Sequence, residues 1–303
     1  MVELRLAGPP APSGLPHAAP LAPEGPRRRR SELLRGAEQV RAWRPAVPGI
    51  LEVFHARFVT HAYPLHAHEA WTLLIVDAGA VRYALDRSTH GSHPATVTLL
   101  PPHVPHDGRA ATTDGFRKRV IYLDPQIFSD ATIGAAVDSP DLNDPTLRQR
   151  IDSLHRVLAT PGEEFEAESR LAFIRERLHD HLAPRGTASG PSRRPTAGRR
   201  TADQLRQLLD AHTTTGITLR EASERLGAHP THLVRAFTAA FGLPPHAYVT
   251  GRRIDLARRL LLDGQPPAQV ATAVGFYDQA HLSRHFRRYL GTTPARFGRA
   301  ARR

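Results

Sequence analysis

The sequence predicts an α+β protein in which a β-rich N-terminal domain precedes two helices and an all-α C-terminal domain. Three observations lead to this fold class. Residues 50–124 break into short runs of β-branched and aromatic residues, punctuated by Gly, Pro, His and Asp, as in antiparallel sheets. Apolar residues recur at helical spacing between 141 and 182. Residues 201–303 are helical in pattern and contain an internal repeat, which predicts two helix-turn-helix units.

The composition restricts the chemistry that the chain can perform. It has 303 residues, 40% of them hydrophobic, with a formal charge of +12 and a pI of ≈ 11.1. The absence of Cys excludes disulfides, thiolate zinc sites and thiol nucleophiles. The positive charge favours a polyanionic partner, either nucleic acid or an acidic membrane surface, and does not by itself distinguish between them. Because there is no run of about 18 apolar residues and no signal-peptide pattern, we expect a cytoplasmic protein that does not enter a membrane.

The first segment of the chain lacks any periodic pattern. Residues 1–36 are rich in Pro and Gly and contain the basic run Arg27 to Arg30. This composition predicts a disordered arm. Residues 37–140 form the predicted β domain, a small barrel or sandwich, in which VRYAL and LEVFHARF alternate partly, as half-buried strands do.

Two amphipathic helices are predicted between residues 141 and 182. Their apolar stripes suit packing on the β domain and packing on a second subunit equally well. Residues 183–200 have no periodicity and are rich in Pro, Gly and Ser, so they predict a flexible linker. The stripes consist of Leu147, Ile151, Leu154, Leu158, Leu171, Ile174 and Leu178.

The C-terminal segment, residues 201–303, combines positive charge with the internal repeat. It contains fifteen Arg against seven Asp and Glu, a net charge of +8 out of +12 for the chain. The stretch that starts at Thr231 matches the stretch that starts at Ala280, and each follows a short helical run ending in Gly. The matched pairs are His232 and His281, Leu233 and Leu282, Arg235 and Arg284, Phe237 and Phe286, Gly242 and Gly291, Pro245 and Pro294, and Tyr248 and Phe297.

The repeated helices carry a polar face that is suited to DNA. Any surface helix turns charged residues outward, but two matched copies joined by a long helix favour a binding face. We expect Arg235 and Arg284 to contact guanine, Gln279 to contact adenine, and Arg287 and Arg288 to contact phosphates. The candidate DNA-binding residues are Thr231, His232, Arg235, Gln279, His281, Ser283, Arg284, Arg287 and Arg288.

The segment from Ala271 to Phe297 fits the pattern AxxxGFxDQxHLSRxFRRxxGxTPxxF. Together with the preceding repeat, it resembles the DNA-binding domain of the AraC/XylS family of bacterial transcription regulators. The resemblance implies seven helices, with a long central helix that spaces two recognition helices for successive major grooves. It further implies double-stranded promoter or operator DNA, RNA polymerase and a second copy of the chain, in a homodimer, as partners.

Three departures from the family pattern fall in the first helix-turn-helix unit. His229 stands where a Ser N-cap is common and Pro244 where Ser or Thr is common, and neither caps a helix as a hydroxyl does. Ser223 stands in a position usually held by Ala. In the second unit, Asp278 is expected to cap the recognition helix. We therefore expect the first unit to be less firmly anchored or less sequence-specific than the second.

The β domain resembles the arabinose-binding type of cupin found in the same family. His66, His68 and Gly79 in YPLHAHEAWTLLIVDAG match the first cupin motif, and His106 in PPHVPH matches the second. The resemblance implies a metal site of three His and one Glu, but aliphatic residues or Thr occupy the Glu position. Glu69 is a poor substitute because adjacent strand residues point to opposite faces. We expect no metal cofactor; a metal, if bound, would use His66, His68 and His106.

The same residues are expected to line a small-molecule pocket. The candidate effector-binding residues are His66, His68 and His106, with Trp71, Tyr83 and Arg82 as weaker candidates, since an aromatic residue on a strand is more often part of the core. The sequence therefore predicts a DNA-binding transcription regulator that responds to a small-molecule effector and is not an enzyme. The alternatives are a cupin metalloenzyme with an accessory DNA-binding domain and an architectural DNA-binding protein that ignores ligands.

Overall fold

The computed structural model describes residues 38–183 and 197–300. The predicted arm, residues 1–36, and most of the predicted linker, residues 183–200, lie outside the described residues. A β-rich N-terminal domain precedes a helical C-terminal domain, which confirms the predicted fold class. None of the helices in the described parts of the chain is long and apolar enough to cross a membrane.

The β domain contains two antiparallel sheets. Its strands are β1 (Gln39–Trp43), β2 (Ile50–Phe58), β3 (Tyr63–His66), β4 (Trp71–Gly79), β5 (Val81–Leu85), β6 (Ser88–Ser92), β7 (Val97–Leu100), β8 (His106–Ala110), β9 (Phe116–Leu123) and β10 (Asp141–Leu142). The large sheet has the order β1-β2-β9-β4-β7-β10, and the small sheet has the order β3-β8-β5-β6. In the small sheet His66 lies opposite His106, so strand pairing brings the two predicted cupin motifs together.

Three helices, α1 (Ile133–Asp138), α2 (Pro145–Val157) and α3 (Glu164–Leu182), follow the β domain. All the predicted stripe residues of α2 and α3 are buried in one core with large-sheet residues such as Val53, Leu73 and Ile75. The large sheet therefore covers these stripes. The opposite face of α3 exposes Phe165 and Phe173, whose relative accessibilities are 82% and 57%.

The C-terminal domain has seven helices within the described residues, the number that the family resemblance implies. The helices are α4 (Ala197–Ala211), α5 (Leu219–Leu226), α6 (Pro230–Phe241), α7 (Pro245–Leu262), α8 (Pro267–Ala273), α9 (Gln279–Leu290) and α10 (Pro294–Ala300). The first of them begins inside the predicted linker. Helices α6 and α9 are the two repeated helices, and α7 is the long helix between them.

Glycine ends the repeated helices. Gly242 after α6 and Gly291 after α9 adopt left-handed φ values of 71° and 65°, a conformation that other residues rarely adopt. The backbone N–H of each Gly donates to a carbonyl in the last turn. The matched Gly positions in the repeat thus have a direct structural reason.

The N-terminal caps of the repeated helices differ in strength. The Asp278 carboxylate accepts a hydrogen bond from the His281 backbone N–H at 2.6 Å, as predicted. The expectation for His229 was wrong, because its imidazole Nδ1 accepts from the Thr231 backbone N–H at 3.3 Å. An imidazole nitrogen that carries no proton can replace a hydroxyl oxygen as the acceptor. Pro244 makes no side-chain cap hydrogen bond, as expected.

The C-terminal domain packs directly against the β domain. Phe54, Phe58 and Val120 of the large sheet share one core with Phe286 of α9 and Phe297 of α10. Helices α7 and α9 contact β3, and α10 contacts β1. Because of this shared core, the second repeated helix, α9, lies at the interface between the two domains.

Candidate DNA-binding surface and effector cavity

Helix α6 of the first unit separates a buried apolar face from an exposed polar face. Leu233 and Phe237 have relative accessibilities of 0%, so they anchor the helix. Thr231, His232 and Arg235 are all exposed. The three candidate DNA-contact residues of this unit are therefore free to approach a ligand near the N-terminal part of the helix, where recognition helices contact base edges.

Helix α9 of the second unit repeats this division. Leu282 and Phe286 are fully buried, as predicted for its inner face. Four of its six candidate residues are exposed, and the two others are half-buried. The exposed residues are Gln279, Arg284, Arg287 and Arg288, and the half-buried residues are His281 and Ser283.

The His281 imidazole is held by neighbouring rings. It lies edge-on to Phe276, and its Nε2 is 3.1 Å from the Nε2 of His285 one turn later. Burial and then the charge of His281 lower the pKa of His285. His281 is thus positioned by contacts within its own unit, and no sequence pattern singles out His285.

A cavity lies between the β domain and the C-terminal domain. Its volume is ≈ 40 Å³, which is room for a few water molecules. Helices α7 and α9 supply part of the wall, so the C-terminal domain closes the cavity. The lining includes Tyr63, His66, His68, Thr72, Leu74, Tyr83, His106, Lys118 and Tyr122 from the β domain and Gly251, Ile254, Asp255, Arg258, Tyr289 and Leu290 from the C-terminal domain.

The three cupin-motif histidines converge at this cavity. His66, His68 and His106 are buried, and one potential ligand atom from each lies within 4.8 Å of the others. His66 Nε2 and His68 Nε2 are 3.2 Å apart. Burial followed by neighbouring imidazoles lowers the pKa of His66, and burial lowers the pKa of His106 to about 3. His66 and His106 are therefore neutral at neutral pH.

The Nδ1 atom of each of these histidines faces an oxygen that can only accept a hydrogen bond. His66 Nδ1 donates to the Pro64 carbonyl at 2.6 Å, and His106 Nδ1 donates to the Val104 carbonyl at 3.1 Å. His68 Nδ1 donates to the carboxylate of Asp255, on α7, at 3.1 Å. Because a neutral imidazole carries one proton, these bonds leave a lone pair on Nε2 of His66 and His106.

Buried charges link the cavity to the C-terminal domain. Arg258 of α7 forms a 2.7 Å ion pair with Glu52 of β2 and lies 3.5 Å from Asp255. Burial opposes ionisation of Asp255, but the charges of His68 and Arg258 outweigh it and lower the pKa of this carboxyl. Burial and the charge of Arg258 lower the pKa of Lys118 to about 7. Both domains thus contribute charged groups to the cavity.

Strand alternation places two effector candidates away from this cavity. Thr72 and Leu74 of β4 line it, whereas Trp71 packs in the core beneath α2 and α3, where its indole donates to the Pro125 carbonyl. Successive strand residues point to opposite faces, so Trp71 was wrongly assigned to the pocket. Arg82 is exposed and is also absent from the lining. Tyr83 does line the cavity.

Comparison with known proteins agrees with both parts of this structure. The profile of the AraC-like ligand binding domain matches residues 48–173, and a helix-turn-helix domain profile matches residues 222–300. The HTH-type transcriptional regulator YbfI of Bacillus subtilis is 23% identical over 77% of this chain and 86% of its own length. The probable transcriptional regulator LumQ of Photobacterium leiognathi is 33% identical, over 29% of this chain and 36% of its own length.

The fold also matches a solved structure over most of its length. ToxT from Vibrio cholerae O395 superposes with a TM-score of 0.52 at 12% identity, covering 87% of this chain and 97% of ToxT. This similarity supports the order of a β-rich domain followed by a helical domain. The chain therefore has the domain composition of AraC-family DNA-binding transcription regulators, with an AraC-like ligand-binding domain ahead of a helix-turn-helix domain.

Proposed function

We propose that this regulator couples ligand binding in the interdomain cavity to the placement of its two recognition helices on promoter DNA. The observation that carries the proposal is the shared core, because the same helix, α9, closes the cavity with Tyr289 and exposes Arg284 for DNA. A ligand that favours one arrangement of the domains changes DNA affinity by its differential affinity for that arrangement.

The nine candidate DNA-contact residues have different roles in this proposal. Arg235 and Arg284 each contact a guanine, and Gln279 contacts an adenine. Thr231, His232, His281 and Ser283 complete the two base-reading faces. Arg287 and Arg288 contact phosphates, which adds affinity without sequence information.

Genome-wide mapping of bound DNA, followed by affinity measurements on a recovered site, tests the DNA-binding role. Wild-type protein is expected to prefer its site over unrelated DNA by at least about 10³-fold. The Arg284→Ala variant should lose most of that preference. Arg87→Ala removes the same charge from the exposed turn between β5 and β6 and should leave the preference unchanged. Equal affinity for all DNA sequences would instead indicate an architectural protein.

The exposed face of α3 is the proposed homodimer contact. Phe165 and Phe173 are eight residues apart, which places them on the same side of the helix, and both are more than half exposed. Sedimentation of wild-type protein should show a dimer, and Phe173→Glu should shift it to a monomer. A Glu176→Gln substitution on the same helix serves as the control. A wild-type protein that sediments as a monomer at micromolar concentration would contradict this assignment.

We further propose that RNA polymerase is a partner at the promoter and that the protein acts in the cytoplasm, where bacterial promoters lie. It is not an enzyme in this proposal, because the small cavity is closed by the DNA-binding domain and offers little room for substrate turnover. The alternative, a cupin metalloenzyme with an accessory DNA-binding domain, would require a substrate to enter while both domains remain packed.

A further inference from the structure

A second recess lies on the face of the large sheet that is turned away from the interdomain cavity. Its volume is ≈ 930 Å³, at the upper end of the usual range for small-molecule sites. Strands β1, β2, β4 and β9 contribute most of its lining, and helices α2 and α10 contribute the rest. We call it the arginine recess, because its lining includes Arg41, Arg57, Arg117, Arg119 and Arg296.

Strand pairing brings these arginines together. Arg57 of β2 lies directly opposite Arg117 of β9. Two residues along, His55 lies between Arg41 of β1 and Arg119 of β9. Like charges that face each other directly across two antiparallel strands are destabilising. The cost is larger for Arg57 because its relative accessibility is only 7%, so little water screens its charge.

The carboxylates in the recess do not balance this positive charge. Within the described residues, five arginines and two aspartates, Asp77 and Asp152, line the recess, which leaves a net charge of +3. Lys118 also borders it, but the Lys118 ammonium lies 4.0 Å from the centre of the Tyr63 ring at the interdomain cavity. The excess of positive charge therefore comes from the arginines alone.

Both aspartates are also shared with arginines outside the recess. Asp77 pairs with Arg119 at 2.7 Å and with Arg148 of α2 at 3.3 Å. Asp152 pairs with Arg119 at 2.6 Å and with Arg156, one turn along α2, at 3.3 Å. The two carboxylates thus have less negative charge to offer the recess than their number indicates.

The imidazole of His55 is exposed to the electrostatic field of the same arginines. Its Nε2 lies 3.2 Å from the Nδ1 of His155. Burial lowers the pKa of His55 to about 4, and the charge of Arg119 lowers it further by more than the charge of Asp77 raises it. The electrostatics at His55 therefore agree with an excess of positive charge beside the ring.

A cluster of this kind suits phosphate groups. Guanidinium groups bind phosphate oxygens through two parallel N–H donors. One phosphate group carries a charge of about −1.5 to −2 at neutral pH, so two groups match the excess in the recess. The Arg119 side chain has a relative accessibility of only 16%, whereas a DNA backbone contacts exposed side chains such as Arg287 and Arg288. A small molecule therefore fits the recess better than a duplex does.

We propose that the arginine recess is a second ligand site, which binds a small molecule bearing two or more phosphate groups through Arg57, Arg117 and Arg119. Arg296 belongs to α10 of the DNA-binding domain, so a ligand that also contacts Arg296 favours the docked arrangement of the two domains. The site contains none of the candidate effector-binding residues, and ligand binding to it does not depend on the function proposed for the interdomain cavity.

Calorimetric titration of the full chain with pyrophosphate and with ADP, at constant ionic strength, tests the proposal. Wild-type protein should bind about one equivalent of each probe. Sulfate, which has a single anionic group, should bind at least about tenfold more weakly, because it makes fewer charge-assisted hydrogen bonds. Equal affinities for the two probes support recognition of the phosphates alone, and tighter binding of ADP supports a nucleoside phosphate. Absence of saturable binding of both probes at millimolar concentration overturns the site.

Arg117→Gln is the central variant, because it removes a ligand contact and also relieves the like-charge pair with Arg57. The affinity for pyrophosphate should fall about tenfold or more, as expected for the loss of hydrogen bonds between charged groups. The unliganded variant should unfold at the same temperature as wild type or at a higher one. A lower unfolding temperature with unchanged affinity would show that the arginine is structural and would overturn the site.

Arg109→Gln provides the matched control. Arg109 of β8 lies directly opposite Arg82 of β5, so the two form another like-charge pair in the β domain. Both are exposed, and neither lines the recess. The affinity of this variant for pyrophosphate should stay within about twofold of wild type, as is usual for a surface substitution. An equal loss in Arg109→Gln and Arg117→Gln would attribute binding to the overall charge of the domain and would overturn the site.

Arg296→Gln tests the contact from the DNA-binding domain. It should weaken pyrophosphate binding severalfold, less than Arg117→Gln does, because the Arg296 side chain is exposed. Arg299→Gln removes the other exposed arginine of α10, which lies outside the recess, and should leave the affinity unchanged. Equal affinities of the two variants would contradict the contact between the ligand and the DNA-binding domain.

The His55 ring supplies a second readout, followed by NMR titration. A bound ligand with two phosphate groups cancels positive charge beside this imidazole, so pyrophosphate should raise the pKa of His55 in the wild-type protein. At the same probe concentration the pKa should change less in Arg117→Gln. An unchanged pKa in the wild-type protein at saturating pyrophosphate would contradict binding in the recess.

DNA affinity without any probe separates the small-molecule site from a contact with the DNA backbone. Wild type and Arg117→Gln should bind DNA equally and with the same salt dependence. A lower affinity for Arg117→Gln, with a slope against log salt reduced by about 1, would assign the recess to DNA phosphates and overturn the proposal. Absence of specific DNA binding by the wild-type protein would reject the regulator, whereas the pyrophosphate titration would still decide the recess.

Discussion

The two helix-turn-helix units share a sequence pattern but differ in what their cores contain. In the first unit, Leu233 and Phe237 share a core with other residues of the C-terminal domain, such as Leu205 and Tyr248. In the second unit, Phe286 belongs to the same core as residues of the β domain. The second unit therefore shares a hydrophobic core with the ligand-binding domain, whereas the first unit has a core of its own.

Under the proposed coupling, this difference gives a ligand signal a short route to DNA. A shift in the β domain would change the packing of α9 directly, because Gly291 at the end of α9 lies against the ring of Phe58. The first unit meets the β domain through a smaller contact, in which Gly242 lies beside Pro105. The unit with the stronger family signature is thus also the one most closely tied to the effector domain.

The largest expected effect comes from removing one buried ring in each unit. Phe286→Ala and Phe237→Ala both delete a side chain with a relative accessibility of 0%, so each should cost about 3–5 kcal/mol of unfolding free energy. Hydrogen exchange should show faster opening of β2 and β9 only in the Phe286→Ala protein. Similar protection of these strands in both variants would show that the shared core does not couple the domains.

A smaller effect is expected when the matched arginines are removed. Arg284→Ala should weaken binding to the recovered DNA site by about 1–3 kcal/mol, as expected for loss of a bidentate guanine contact. Arg235→Ala should weaken it less, because the first unit is expected to be the less specific. Titration of labelled DNA with each variant measures both values, and a larger loss for Arg235→Ala would reverse the ranking of the two units.

The two units should differ in how much they contribute to the salt dependence of DNA binding, because of the expected phosphate contacts. Arg287 and Arg288 of α9 correspond in the repeat to Thr238 and Ala239 of α6, which carry no charge. Each Arg→Gln substitution should reduce the slope of log affinity against log salt by about 1, on specific and unrelated DNA alike. Gln substitutions at Thr238 and Ala239 provide the control and should leave the slope unchanged.

The smallest effect concerns the helix caps. Asp278→Ala removes a 2.6 Å hydrogen bond from a carboxylate and should cost about 1 kcal/mol. His229→Ala removes a longer bond, of 3.3 Å to an imidazole nitrogen, and should cost less. Denaturant midpoints of the two variants measure the difference. Equal losses would show that the imidazole cap of the first unit is as effective as the carboxylate cap of the second.

Local signals in the sequence were sufficient for the elements but not for their assembly. The repeat, the glycine ends of α6 and α9 and the cap at Asp278 depend on neighbouring residues, so they were predictable. In α7, the local sequence around Asp255 and Arg258 is typical of ordinary surface charges. Arg258 nevertheless pairs with Glu52, which is 206 residues away in sequence. No local pattern indicates such a partner.

The error at Trp71 has a similar origin. A one-residue change along a strand reverses the direction of the side chain, so Thr72 faces the cavity and Trp71 faces the opposite side of the sheet. The sequence also left open what covers the stripes of α2 and α3. Their burial against the large sheet depends on strand order, which hydrophobic periodicity does not specify.

Lys118 is a natural site for selective chemical labelling of the protein. It is the one lysine in the sequence, and its Nζ lies 4.0 Å from the centre of the Tyr63 ring at the cavity. Because its pKa is lowered to about 7, a large fraction of the amine is neutral and nucleophilic near neutral pH. Amine-directed acylation therefore has a single side-chain target, and the rate of labelling at Lys118, followed by mass spectrometry, measures how readily a reagent reaches this position.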